Sequence, residues 1–139
     1  MTRDTPSFQA GQALPACSIR ITQELIDEYA RLSGDFNPIH VDPQAGAASV
    51  FGGTIAHGCI PLEPVIQSIL RWSGGDRLPP RARFTLRYRA PSRPGDTIRS
   101  QVLQKAESST DSGRAIVLQF ACLNQADQPV IEGECEYPA

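Results

Sequence analysis

Hydrophobic residues recur at helical spacing across residues 23–32, and this segment carries both a start and a stop signal. Thr22 precedes it and can accept a hydrogen bond from a free amide of the first turn. Gly34 follows it, and glycine commonly ends a helix because it adopts left-handed backbone angles without strain. Residues 17–21 alternate between apolar and polar side chains, as a strand does. The chain is therefore expected to begin with a short strand and a capped helix.

A second helix is expected within residues 55–72, the longest apolar-rich segment of the chain. Its hydrophobic residues spread round much of the helix circumference, as they do in a buried helix. Pro61 and Pro64 lack a backbone N–H and are expected in or near the first turn, which places the helix start at residues 58–60. A shorter, Ala-rich helix is expected at residues 44–49, after an Asp-Pro pair that suits a helix start.

Strand patterns dominate the second half of the chain. Residues 81–90 alternate, with arginines on one face and apolar side chains on the other. Residues 114–123 are apolar on both faces, which indicates a central strand. The expected strands cover residues 81–90, 97–106, 114–123 and 129–137, with a hairpin loop at residues 108–113. One long helix followed by an antiparallel meander predicts an α+β domain in which that helix packs against a curled antiparallel sheet.

Length and composition fit one domain. The chain has 139 residues, 40% of them hydrophobic, and this length suits a single core. Residues 1–14 are polar and interrupted by proline and glycine, so a flexible N-terminal arm is expected there, with the domain at residues 15–139. The net charge of −2 gives no electrostatic basis for binding nucleic acid or an anionic membrane. There is no apolar run of about 20 residues and no signal-peptide pattern, so the expected location is the cytoplasm.

The four cysteines lie too far apart to show the spacing of a metal site. Cys17, Cys122 and Cys135 fall in mostly apolar strand patterns, and buried reduced thiols are expected at these positions. The fourth, Cys59, stands at the start of the predicted long helix, next to Gly58.

Candidate chemistry lies between the first helix and the short one. Asp35, Asn37 and His40 bring an acid, an amide and an imidazole together within six residues; Gly34 precedes them and Pro38 lies between Asn37 and His40. Gly34 and Pro38 both restrict or shape the backbone. A carboxylate and an imidazole on such a restrained loop are suited to general acid–base catalysis.

A second polar segment stands at the start of the predicted long helix, where Gly58 follows His57. A backbone N–H at a helix N-terminus favours negative charge, so this end of the helix can stabilise an anion. Spacing alone does not decide whether the segment joins Asp35 and His40 in one site. Composition would allow Asp35, His40 and His57 to bind a metal, but no ligand spacing supports it and no metal is expected.

Residues 29–40 resemble the hydratase-2 motif of the MaoC-like (R)-specific enoyl-CoA hydratases, and the resemblance continues at Ala48, residues 57–58 and residues 90–96. It implies the hot-dog fold, in which a long central helix is wrapped by a curled antiparallel β-sheet. It also implies a homodimer or higher oligomer. The implied substrate is an acyl thioester of coenzyme A or of an acyl-carrier protein, so coenzyme A is part of the substrate and no separate cofactor is expected.

The resemblance further implies the reaction and its residues. Water would add across the trans-2,3 double bond of an enoyl-CoA, or leave an (R)-3-hydroxyacyl thioester in the reverse direction. Asp35 and His40 match the acid–base pair of the family, and the Gly58 amide matches its oxyanion hole. The expected supporting or substrate-binding residues are Ser33, Asn37, His57 and Cys59.

The chain departs from the family pattern along the long helix. Cys59 stands where a larger apolar residue, often Met, is common, and Glu63 and two prolines interrupt the apolar helix face. One alternative is therefore a dehydratase for a branched, dicarboxylic or carrier-protein-bound acyl group. A second is a catalytically silent protein that binds acyl-CoA. The arginines of residues 81–90 either contact the phosphates of such a ligand or form a solvated strand face.

Overall fold

Four helices and five strands are present in the computed structural model, which describes residues 6–111 and 113–139. In chain order they are β1 (Ser18–Arg20), α1 (Gln23–Ser33), α2 (Pro38–Val41), α3 (Pro43–Ala48), α4 (Cys59–Ser73), β2 (Arg83–Tyr88), β3 (Thr97–Thr110), β4 (Gly113–Leu123) and β5 (Pro129–Pro138). The helices precede the long strands, as the sequence pattern predicts. None of the helices in the described residues is long and apolar enough to cross a membrane.

The helix boundaries follow the capping residues. The Thr22 hydroxyl accepts a hydrogen bond from the Leu25 amide at 3.0 Å and starts α1. Gly34 ends α1 with a φ of 80°, in the left-handed region that other residues avoid. Asp42 caps α3 by accepting from the Gln44 amide at 3.0 Å. The two helices expected ahead of α4 are thus confirmed.

The long helix α4 begins at Cys59, within the expected range. Pro61 lies in its first turn, as expected. Pro64 lies beyond that turn, inside the helix, so the expectation about the prolines holds for Pro61 only. The missing N–H of Pro64 leaves the Ile60 carbonyl without its usual helical partner. Full burial of the Pro64 ring in the core offsets part of this cost.

The five strands form one antiparallel sheet in the order β1-β3-β4-β5-β2. β4 is central, as its apolar faces predict. The meander, however, includes only β3, β4 and β5, because β2 pairs with β5 at the far edge and not with β3, its successor in the chain. Alternation along a strand sets which face is buried but not which strand lies beside it, so the sequence pattern could not place β2.

Two segments are more ordered than the sequence pattern predicts. β3 continues to Thr110 and β4 begins at Gly113, so most of the expected hairpin loop is paired strand. Part of the expected N-terminal arm is also tied to the sheet. The amides of Gly11 and Leu14 donate to the carbonyls of Gln104 and Val102 at 2.8 and 2.9 Å. Residues 1–5 of the expected arm lie outside the described residues.

The core lies between α4 and the inner face of the sheet. Most of its members are branched aliphatic side chains with almost no exposed surface, and their burial removes a large apolar area from water. They include Ile60, Val65 and Ile69 from α4 and Ile98, Val102, Ile116, Leu118 and Ile131 from the strands. As expected, the thiols of Cys17, Cys122 and Cys135 are buried and unpaired by disulfides. Burial raises the pKa of Cys122 to about 12, so this thiol stays protonated at neutral pH.

Close packing of β2 against β5 depends on a glycine. Gly133 lies opposite Leu86 of β2 and Phe120 of β4. A Cβ atom at Gly133 would collide with the Thr85 carbonyl oxygen and would lie 2.9 Å from the Leu86 Cα. Because these are backbone atoms, only a shift of the strand could relieve the collision.

We expect Gly133→Ala to lower the free energy of unfolding by about 1–3 kcal/mol, the usual cost of overpacking. Gly53→Ala is the matched control, because a Cβ there would meet only the Arg93 side chain at 3.8 Å, an ordinary contact. Urea unfolding of both variants measures the difference. Equal stabilities of the two variants would contradict the packing role of Gly133.

Candidate active site

The loop between α1 and α2 is held by a chain of short-range hydrogen bonds. The Ser33 hydroxyl donates to the Tyr29 carbonyl at 2.7 Å and accepts from the Asp35 amide at 3.2 Å. The Asp35 carboxylate accepts from the Asn37 amide at 3.2 Å, and the Asn37 side chain accepts from the Ile39 amide at 3.1 Å. Ser33 and Asn37 therefore shape the loop that presents Asp35.

Asp35 and His40 face one another across the open side of this loop. Asp35 Oδ2 lies 3.9 Å from His40 Nε2, and the two side chains are 53% and 13% exposed. His40 Nδ1 lies 2.8 Å from the Ile55 carbonyl oxygen. A carbonyl only accepts, so Nδ1 carries the proton in the neutral ring and the Nε2 lone pair faces Asp35. One water molecule could donate to both Nε2 and Oδ2 at ordinary hydrogen-bond lengths of about 2.8 Å.

His57 connects this loop to the start of α4. Its contacts decide whether the segment at Gly58 belongs to the same site as Asp35 and His40. His57 is buried, with 3% of its surface exposed, and its Nε2 lies 2.9 Å from the Asp35 carbonyl oxygen. Its ring also stacks on that of His40, with centroids 4.0 Å apart and planes 28° apart. The structure therefore brings the two polar segments together at one place.

Gly58 occupies the N-cap position of α4, at the positive end of the helix dipole. Among the described residues, none accepts a hydrogen bond from its amide. A Cβ atom at Gly58 would lie 2.6 Å from the Tyr88 hydroxyl oxygen. The absence of a side chain thus makes room for Tyr88, in addition to leaving the amide open to a ligand.

Tyr29 and Tyr88 lie close to Cys59, and the sequence analysis did not include either of them among the site residues. A side-chain hydrogen bond with Cys59 raises the pKa of Tyr29, and burial adds to the effect. Partial burial raises the pKa of Tyr88, and the charge of an ionised Cys59 would act in the same direction. Tyr29 lies within the motif, and Tyr88 ends the inward-facing row of β2, so both positions carried a signal. Cys59 itself is exposed at the helix start.

Glu63, the second side chain that departs from the family pattern, lies like Cys59 on the accessible side of α4. Glu63 is partly exposed, and its carboxylate accepts a hydrogen bond from the Gln67 side chain at 2.8 Å, one turn later. An acidic group therefore follows Cys59 along the helix, where the sequence comparison with the family expected an apolar surface.

Three side chains of the site could supply metal ligands. One potential ligand atom each from Asp35, His40 and His57 lies within 4.8 Å of the other two. In both histidines one ring nitrogen is already engaged with a backbone carbonyl. The expectation that the site needs no metal stays a prediction.

The arginine row of β2 does not face this site. Tyr88 reaches Gly58, and neighbouring side chains of a strand point to opposite faces, so Arg87 and Arg89 lie on the outer face of the sheet. There Arg87 lies opposite Glu132 in the strand register, and Arg89 forms an ion pair with the same Glu132 at 3.0 Å. This arrangement supports the solvated strand face and not the phosphate-contacting alternative.

Comparison with solved structures identifies the fold class. The chain aligns with the (R)-hydratase from A. caviae involved in PHA biosynthesis with a TM-score of 0.79, 23% identity, and coverage of 95% of this chain and 97% of that one. It aligns with R-hydratase PhaJ1 from Pseudomonas aeruginosa with a TM-score of 0.76 and 25% identity, over 94% of this chain and 82% of that one. The α+β architecture is the hot-dog fold, as expected.

The sequence identifies the family. Residues 7–119 match the family model described as MaoC like domain, and the chain belongs to this family. A 3-hydroxybutyryl-CoA dehydratase of Methylorubrum extorquens is 37% identical over 111 residues, which cover 76% of this chain and 65% of that protein. The chain thus spans less than two thirds of the length of this curated relative.

We expect Cys59→Ala to lower the pKa of Tyr29 towards the ordinary tyrosine value of about 10, because the substitution removes the hydrogen bond that raises it. Cys59→Ser is the matched control, since its hydroxyl can still accept that bond. The ring-carbon NMR signal of Tyr29, followed as a function of pH, measures the shift. A Tyr29 pKa that is the same in the wild type and in Cys59→Ala would rule out the contact.

Proposed function

We propose that this protein is a hydro-lyase that hydrates 2-enoyl thioesters of coenzyme A, or dehydrates (R)-3-hydroxyacyl thioesters in the reverse direction. One observation carries the proposal. Asp35 Oδ2 and His40 Nε2 lie 3.9 Å apart as two acceptors for one water, and His57, which stacks on His40, directly precedes Gly58 at the N-terminus of α4. Membership of the MaoC-like family and similarity to a protein named 3-hydroxybutyryl-CoA dehydratase support the same chemistry.

In the proposed hydration, the water held by Asp35 and His40 attacks C3 of the enoyl thioester. The C3–O bond forms while the electrons of the C2–C3 double bond move towards the thioester oxygen. The Gly58 amide, at the positive end of α4, donates a hydrogen bond to that oxygen as it becomes negative. Such a donor contributes roughly 10²–10³-fold to the rate.

The proton balance is completed by Asp35. Its carboxylate takes one proton from the water and returns a proton to C2, while His40 holds the water oxygen in place. Acid–base assistance of this kind contributes roughly 10²–10⁴-fold. Because both groups act from one side of the substrate, the expected addition is syn. The (R) configuration is proposed from the similarity to R-hydratase PhaJ1, because syn addition by itself does not set it. No step needs a metal or a redox cofactor.

A more specialised acyl substrate is the second candidate function. The observation that favours it is the polar start of α4, where Cys59 is exposed and Glu63 carries a carboxylate. A branched, dicarboxylic or carrier-protein-bound acyl group would then be preferred over a straight chain. Turnover of short and long straight-chain acyl-CoAs at comparable rates would exclude this candidate.

The proposed partner is a second copy of the chain. Within the described residues, β2 ends the sheet and pairs on one side only. Its last residue, Tyr88, is 52% exposed beside Gly58. Edge-to-edge pairing of two sheets would use that free edge.

We expect sedimentation equilibrium to give twice the chain mass of 15.1 kDa, and a monomer at micromolar concentration would contradict the proposal.

We expect Asp35→Asn to lower kcat for hydration of crotonyl-CoA by roughly 10²–10⁴-fold, because the amide cannot accept the proton of water. The Asn side chain keeps an oxygen for the Asn37 amide, so the loop is preserved. Loss of absorbance of the enoyl thioester, followed with EDTA present, measures the rate.

Asp42→Asn is the matched control. Asp42 is a nearby loop aspartate that caps α3, and asparagine caps helices equally well. This variant is expected to retain the wild-type rate. A full rate in Asp35→Asn would remove Asp35 from the mechanism, and tight binding of crotonyl-CoA without turnover by the wild type would favour the silent binding protein.

A further inference from the structure

We propose that His57 is a positioning residue that sets the relative placement of Asp35 and His40. Its side chain contacts both members of the pair, through a hydrogen bond to the Asp35 carbonyl and a ring stack on His40. The catalytic consequence of this role rests on the proposed function. The contacts themselves can be tested without substrate.

The contact with Asp35 acts through the backbone. The Asp35 side chain is 53% exposed and follows Gly34, whose φ of 80° takes the chain out of α1. Apart from the hydrogen bond from the Asn37 amide, little protein holds that side chain, so its direction depends on the peptide that carries it. The Nε2–H of His57 donates to the carbonyl of this same peptide at 2.9 Å and fixes it to the start of α4.

The contact with His40 acts through the ring. His40 belongs to α2, a four-residue helix with no buried residue, and so short a helix has little stability of its own. Its imidazole is held on one side by the Ile55 carbonyl and on one face by the His57 ring. Ile55 and His57 flank Ala56, whose amide donates to the Ser92 carbonyl at 2.8 Å. Both supports of His40 therefore come from one segment that is anchored beside the sheet.

His57 also contacts a second ring. The Tyr29 ring of α1 lies 4.7 Å from it, centroid to centroid, with the planes tilted by 52°. His57 thus contacts one ring of α1 and one ring of α2. Because it packs against both, it cannot move without disturbing a neighbour, which suits a positioning role.

The protonation pattern explains why histidine occupies the position. The bond to the Asp35 carbonyl requires the proton of His57 on Nε2, whereas the bond to the Ile55 carbonyl requires the proton of His40 on Nδ1. Nδ1 of His57 is buried and has no hydrogen-bond partner among the described residues. An apolar ring would avoid that unpaired nitrogen, but it would have no N–H for Asp35. Imidazole combines the flat ring and the donor.

The first test is NMR spectroscopy of the substrate-free wild type labelled with ¹⁵N-histidine. The chain has two histidines, so the spectrum contains two imidazole systems, and either variant below assigns them. At a pH of about 8, above the ordinary histidine pKa of about 6.5, we expect opposite tautomers. His40 should carry its proton on Nδ1 and His57 on Nε2. A proton on Nδ1 of His57 would overturn the inference, with no need for a variant to fold.

The second test separates the two contacts with two substitutions. His57→Phe keeps a ring to stack on His40 but has no donor for Asp35. His57→Gln keeps an N–H donor but has no ring. We expect the ring-proton signals of His40 to move in His57→Gln, because the stacked ring at 4.0 Å is gone, and to move less in His57→Phe.

The kinetic readout distinguishes positioning from general support of the fold. A displacement of about 1 Å at a reacting group can cost roughly 10²-fold in rate. We therefore expect each variant to lose at least about tenfold in kcat, per folded molecule, with KM within about twofold of the wild type. Circular dichroism and thermal unfolding give the folded fraction.

Three results would count against the role of His57. They are an unchanged His40 spectrum in His57→Gln, wild-type kcat in both folded variants, and a loss confined to thermal stability. If the wild type turned over no enoyl or hydroxyacyl thioester, the proposed function would fail, while the tautomers and the His40 signals would still report on the contacts of His57. The two failures are therefore distinguishable.

Discussion

Burial of α4 against the inner face of the sheet is the constraint on which the rest of the structure depends. The aliphatic side chains that line this contact are almost fully removed from water, which is the main favourable term in folding a domain of this size. Once α4 is fixed, so is its N-terminus, and with it the amide of Gly58 and the ring of His57. Tyr88 reaches the same point from the end of β2 because its strand is paired to β5. The site is thus built at the end of the core and not within it.

The polar part of the site depends on a different kind of force. Local hydrogen bonds from Ser33 and Asn37 set the shape of the loop, and they would form in much the same way in any chain with this motif. They do not orient the loop relative to α4. That orientation comes from the bond between His57 and the Asp35 carbonyl, from the imidazole stack, and from the bond between His40 and the Ile55 carbonyl. The carboxylate stays accessible while the imidazole is largely buried, so a substrate could reach both from one side.

Charged side chains away from the site form cross-strand pairs on the outer face of the sheet. The arginines of β2 lie opposite the glutamates of β5 on the outer face, where cross-strand pairs of opposite charge are favourable and well solvated. Arg87 and Arg89, which the sequence analysis considered as possible phosphate ligands, both lie beside Glu132 on this face. Near the site, the departures from the family pattern are Cys59 and Glu63, which lie at the accessible start of α4.

The sequence by itself determined the elements whose signals are local. Thr22, Gly34 and Asp42 marked helix ends because capping involves neighbours only a few residues apart, and alternation identified the inner face of β2 because the period of a strand is fixed. The motif likewise singled out Asp35 and His40. Only the tertiary structure decided that β2 pairs with β5, that residues 9–14 join β3, and that Tyr88 closes on Gly58. It also decided the place of His57, whose contacts join residues 17 and 22 positions away. Contacts over such distances form only when burial of α4 brings the segments together, and no pattern of neighbouring residues encodes them.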